Sequence, residues 1–210
     1  LLSPHPPHSE SARRVRIGWA GGNTHFYDLL SIADPLRRIA KKHHVEIVVF
    51  GALNLPVEDY IPCRHLKTVR LRWYFRKLQR LHFDIGLAPM EDTPFNRGKS
   101  DLRLREMASL GIPVVASAVG SYKDTLRHGI EGFLAETPAE WEHYLERLIT
   151  DQVLRQSMGA AARERAEQEY DAYLPGYAEQ RVAFYQRVLN QSEQPKQYPL
   201  SEVRAISALC

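Results

Sequence analysis

The chain has 210 residues, 44% hydrophobic and 25% charged, with a net charge of +3, which suits one large, water-soluble α/β domain and gives no reason to expect a nucleic-acid partner. No stretch approaches the ~20 apolar residues of a membrane helix, and no secretory signal is visible. Two cysteines, Cys63 and Cys210, make no disulfide framework, so a reducing, cytoplasmic setting is expected.

Residues 1–12, rich in Pro, His and Ser, read as a linker, and a chain opening on Leu1-Leu2 reads as a piece of a longer protein. Residues 14–20 are a first strand, followed by a turn at Gly21, Gly22, Asn23 and Thr24. An amphipathic helix is expected over 28–42, with Leu29, Ile32, Leu36 and Ile39 on one side. A buried strand at 45–50 ends at Gly51, and a Pro-punctuated loop leads to a short strand at 69–71 and a helix at 73–81. A strand at 83–88 and a long loop at 89–100 precede a helix that Ser100 would N-cap, with Asp101 in its first turn. Leu104, Met107 and Ala108 share the apolar face of that helix, Gly111 and Pro113 stop it, and 112–116 is a buried strand. A helical segment at 122–128, a strand at 132–135, and helices at 138–150, 152–168 and 173–189 complete a domain spanning 13–190. The polar segment 191–210 reads as a tail or a connection.

Strands alternating with helices predict a Rossmann-like, doubly wound parallel sheet flanked by helices. Ligands of such sheets bind beyond the carboxyl ends of the strands, so loops 20–28, 89–100 and 116–123 are where a site is expected. Lys99 and Ser100 at a helix start supply a cation and free N–H groups, an arrangement suited to phosphate. Glu106, about two turns further on, can accept hydrogen bonds from sugar hydroxyls. Gly21 and Gly22 allow backbone to approach a pyrophosphate, but their spacing is not the dinucleotide G-x-G-x-x-G, which disfavours NAD and FAD. His25 shares that loop; Glu91, Asp92, Asn96 and Arg97 follow a strand end; Ser121 and Tyr122 lie in the next such loop. The histidines show no metal-ligand spacing, and neither Asp-x-Asp nor G-x-S-x-G occurs, so no metal is expected and hydrolase chemistry has no support.

Arg64, Lys67, Arg70, Arg72, Arg76, Lys77 and Arg80 form a basic run without an acid, interrupted by Trp73, Tyr74 and Phe75. The plain reading is a solvated surface whose acids, such as Asp59 or Asp84, come close in space. Binding to RNA or anionic vesicles is then weak and lost at physiological salt. Contact with a partner or a membrane surface ranks second.

Phe83-Asp84-Ile85-Gly86-Leu87-Ala88-Pro89, the run from Glu106-Met107-Ala108 to Val115-Ala116-Ser117, and His128-Gly129-Ile130-Glu131-Gly132-Phe133-Leu134 together resemble the carboxy-terminal, donor-binding half of the retaining glycosyltransferases of family 4. Asn96-Arg97-Gly98-Lys99-Ser100-Asp101 is similar to a subset of them. The resemblance implies one half of a GT-B fold, a UDP- or GDP-linked sugar as donor, no cofactor, and an amino-terminal domain or partner holding the acceptor. It implies that Lys99 meets the leaving diphosphate, with His25 the candidate where relatives carry a basic residue. Glu106 matches the second of two family glutamates and would hold the ribose. The first falls at Gly98, so Glu91 or Asp92 is left to touch the sugar. A non-catalytic nucleotide-sugar module and a GT-B-like epimerase stay open as alternatives.

Overall fold

The computed structural model describes residues 14–169 and a few helical positions between 179 and 190. The expected linker at 1–12, the tail at 191–210 and most of the helix expected at 173–189 lie outside the described residues. The chain divides into two compact units, residues 1–170 and 171–210, and the architecture that follows is that of the first.

In chain order the elements are β1 (Val15–Gly22), α1 (Phe26–Leu30), α2 (Ala33–Lys42), β2 (Val45–Ala52), β3 (Arg64–Leu66), α3 (Leu71–Arg80) and β4 (Ile85–Ala88). Then come α4 (Pro94–Arg97), α5 (Leu102–Ser109), β5 (Val114–Ser117), α6 (Gly120–Thr125), β6 (Gly132–Ala135), α7 (Pro138–Thr150) and α8 (Gln152–Glu169). The strands form one six-stranded sheet in the order β3-β2-β1-β4-β5-β6, every pair parallel. Alternate residues feed two cores. Ile17, Trp19, Ile47, Val49, Ile85 and Leu87 pack with α1, α2 and α7, whereas Val48, Phe50, Ala88, Val114 and Ala116 pack with α3 and α5. That two-sided burial is why these strands read as continuous apolar runs. The strand order reverses between β1 and β4, which opens a crevice at their carboxyl ends.

Several local expectations shift. Gly21 and Gly22 are not a turn: they extend β1, paired with Gly51 and Ala52. A Cβ on Gly51 would collide with the Gly21 carbonyl and one on Gly21 with the Trp19 ring, so close packing accounts for glycine at those two positions. The helix expected at 28–42 breaks into α1 and α2 because Pro35 cannot donate to the ladder and is accommodated in the first turn of a new helix. The edge strand lies at 64–66, not 69–71, since an edge needs only one apolar face and Leu66 supplies it beside Phe50. Loop 89–100 contains α4, whose Thr93 side chain accepts from Asn96 N at 3.1 Å ahead of Pro94. Ser100 is not an N-cap: α5 starts at Leu102, and the Asp101 carbonyl takes the N–H groups of Leu104 and Arg105. The segment expected at 122–128 is α6, which starts two residues and ends three residues earlier. The α7 helix begins as expected, with a reciprocal capping box between Thr137 and Glu140.

Candidate functional site

An open cleft of about 200 Å³ lies at the crevice, lined by Trp19, His25, Met90, Lys99, Ser100 and Arg103, with Leu102 and Tyr122 at its sides. The amino end of α5 thus borders the cleft, and its dipole adds to the Lys99 charge.

Asp28 organises this end of the sheet. It is buried, and groups from two segments converge on it. His25 Nδ1 donates to Oδ2 at 2.8 Å, Glu91 N donates to Oδ1 at 2.9 Å, and Asn96 Nδ2 donates to Oδ1 at 2.8 Å. Lys99 Nζ lies 3.5 Å from Oδ2 and 3.3 Å from His25 Nδ1. Because Nδ1 gives its proton to the carboxylate, Lys99 is drawn in by Asp28 and not by the ring. Burial raises the Asp28 pKa, but the His25 hydrogen bond, the Glu91 N–H and the Lys99 and His25 charges outweigh it, and the carboxyl sits below its ordinary value. Asp28 therefore stays ionised, holds one cation and one imidazole at the cleft wall, and leaves the other donors of Lys99 for an anion.

Beside the cleft, Glu106 is buried with Oε2 accepting from Arg103 and, at 3.3 Å, from the Tyr74 hydroxyl. Arg103 also donates to the Tyr74 hydroxyl at 3.0 Å, and Tyr74 stacks on Phe50. Burial pushes the Glu106 pKa up, and the Arg103 charge works against it.

The structure brings His25, Lys99 and Ser100 together in one cleft and sets the other expected residues around them in different roles. Gly21 and Gly22 belong to the sheet. Glu106 reaches the cleft through Arg103. Glu91 contributes its backbone N–H to Asp28, while its side chain lines, with Asp92 and Lys123, a neighbouring depression of about 460 Å³. Asn96 is buried and bonded to Asp28 and to the Glu91 carbonyl. Arg97 pairs with Asp92 at the surface. Ser121 Oγ donates to the Lys99 carbonyl at 2.8 Å, so it holds the backbone of Lys99. Asp28, Arg103 and Tyr74 join the site through tertiary contacts. The signal for Asp28 was present: it stands at helical spacing with Ile32 and Leu36, a carboxylate on an apolar stripe. Among the described residues no group of His, Cys, Asp and Glu is arranged to hold a metal ion.

No curated protein sequence matches the chain. Among solved structures, HepE from Anabaena in complex with UDP-glucose is similar over 82% of this chain and 50% of its own, at 17% identity and a TM-score of 0.64. A variant of S. aureus TarM solved with fondaparinux, α-GlcNAc-glycerol and UDP covers 81% of this chain at 15% identity and a TM-score of 0.58, and only 35% of TarM is spanned. The C-terminal domain of LpcC, a glycosyl transferase group 1 family protein from Francisella tularensis, matches 74% of this chain and 86% of its own, at 15% identity and a TM-score of 0.57. The chain thus spans half or less of the larger enzymes it matches, and the parallel sheet with its helices corresponds to one half of a GT-B glycosyltransferase. The sequence pattern of one family, glycosyl transferase-like, matches residues 32–173. The chain belongs to the glycosyl transferase-like family.

Proposed function

We propose that this chain is the donor-binding, carboxy-terminal half of a retaining, family-4-like glycosyltransferase that takes a UDP- or GDP-linked sugar without a metal ion. The observation that carries the reading is the Lys99–Asp28–His25 cluster in a cleft at the β1/β4 crevice. Lys99, His25 and the amino end of α5 would face the diphosphate and stabilise the charge that develops as the sugar leaves. Arg103, tied to Glu106, would border the ribose. The acceptor would be held by an amino-terminal domain of a longer chain or by a partner, so the chain alone binds donor and transfers little. HepE and TarM, solved with UDP-glucose and UDP, support a nucleotide-sugar ligand for this fold. A cytoplasmic setting fits such a donor.

Calorimetry of the chain with UDP, GDP and the free nucleosides, with and without chelator, tests this. Diphosphate binding that survives the chelator is expected. Lys99→Ala should lose a charge-assisted contact of roughly 1.5–3 kcal/mol, about tenfold or more in UDP or GDP affinity, and leave nucleoside binding alone. Absence of binding to either diphosphate, or binding that the chelator abolishes, would overturn the reading.

A further inference from the structure

Helix α3 carries an exposed, basic face. Of its residues only Leu78 is buried, while Leu71, Trp73 and Phe75 are 82%, 46% and 41% exposed. Arg72, Arg76 and Arg80 recur four residues apart and form one column on the outward side. Lys67, Arg70 and Lys77 add to it. Among the described residues the expected acids Asp59 and Asp84 form no ion pair with this run. Arg64 is answered by Glu46 at 3.0 Å, but among the described residues no carboxylate pairs with the other six. Asp84 instead accepts the backbone N–H of Arg16. Some other exposed cations are paired, as Arg38 is with Glu142 and Lys42 with Glu146, while Lys41 and Lys123 have no ion pair among the described residues, so what marks α3 is the number of such cations on one helix. A column of like charges at this spacing destabilises its own helix, and an external anion would relieve it.

The apolar residues decide which anion. Trp73 lies on the helix beside Arg76 and Arg80, whereas Leu71 and Phe75, one turn apart, lie on the other side of the column. Trp73 is overlaid by two guanidinium groups, Arg72 at 5.5 Å and Arg76 at 5.2 Å from its ring centroid. A base stacking on Trp73 would have to displace these groups, which disfavours single-stranded nucleic acid. A bilayer interface needs no free ring face: the aromatic bodies enter the headgroup layer and the guanidinium groups meet lipid phosphates. We infer that the α3 face docks on an anionic lipid surface, with Trp73 entering the interface and the Arg72–Arg76–Arg80 column binding headgroup phosphates. The Tyr74 hydroxyl on the same helix bonds Arg103 at the cleft, so docking holds the cleft beside the bilayer. The inference does not depend on what the cleft binds.

Flotation of the 210-residue chain with vesicles of phosphatidylcholine and phosphatidylglycerol, against phosphatidylcholine alone and at physiological salt, tests it. Binding only to the anionic vesicles is expected. Trp19 and Trp141 are buried, so a blue shift of tryptophan emission on vesicle addition reports Trp73, and Trp73→Phe should abolish that shift. Replacing Arg72, Arg76 and Arg80 together by glutamine, a good helix former, should weaken partitioning about a hundredfold and leave the thermal midpoint unchanged or raised. Arg76→Gln alone should give about a fivefold loss should the triple variant fail to fold. No binding to anionic vesicles, equal binding to neutral ones, undiminished binding by the glutamine variants, or an RNA oligomer outcompeting the vesicles would each overturn the inference.

Discussion

Glu106 shows how much a carboxylate's surroundings decide its work. On a bare helix surface its loss would leave folding nearly unchanged. Here it is buried and is the acceptor for both Arg103 and Tyr74. Glu106→Ala would leave a guanidinium and a hydroxyl without their carboxylate, which costs roughly 1–3 kcal/mol. Arg103 also lines the cleft, so freeing it should weaken UDP binding as well. Denaturant unfolding together with calorimetry of the variant checks both effects. Unchanged stability would mean that the Arg103–Glu106 pair contributes nothing to the fold.

Among the elements, the contact between α4 and α6 positions Lys99. Gly120, the first residue of α6, has φ +50°, and a Cβ added to it would lie 2.9 Å from both the Cα and the carbonyl oxygen of Arg97 at the end of α4. The next residue, Ser121, bonds the Lys99 carbonyl. Only glycine satisfies the dihedral and the approach together. Gly120→Ala is therefore expected to cost about 1–3 kcal/mol in stability and to lower diphosphate affinity by displacing Lys99. Thermal unfolding and UDP titration of this variant measure the two. Ser121→Ala, which lacks the backbone conflict, should show a smaller loss of both, and an unaffected Gly120→Ala would remove α6 from the account of the site.

At the scale of the whole molecule, the chain crosses the sheet between β1 and β4, and Asp28 is where the two sides are tied. The Asp28 carboxyl is held below its ordinary value of 3.8: burial opposes ionisation, but the His25 hydrogen bond, the Glu91 N–H and nearby positive charge prevail. Asp101 is lowered too; burial again opposes, and Arg105 and Thr125 more than compensate. A carboxyl with a depressed folded pKa adds stability that is fully present above its unfolded pKa and is lost as pH falls through the folded one. Glu106, with a raised pKa, acts in the opposite sense: its contribution is present below 4.5 and is lost as pH rises through its folded value. The thermal midpoint should therefore fall as the pH drops from about 3.8 downward, and more gently in Asp28→Asn than in the parent. A pH titration of the midpoint for both proteins checks this, and identical acid limbs would remove Asp28 as a source of the dependence.

Local chemistry by itself determined the sheet class and most of the helices, and it offered Lys99 as a candidate, with His25 added by the family resemblance. Apolar runs at 45–50 and 112–116 signal strands buried on both faces, and Thr137-Pro138 with Glu140 encodes a helix start within four residues. Those signals act through backbone period and capping, which neighbours along the chain define. The tertiary structure alone decided the rest. The edge strand at 64–66 is strand by virtue of pairing with β2. The partners of Asp28 lie 68 and 71 residues away at Asn96 and Lys99, and Tyr74 meets Glu106 across 32 residues. Such pairs exist only once the strand order has brought the ends of β1 and β4 side by side. The sequence names the charged groups, and the crossover decides which of them share a cleft.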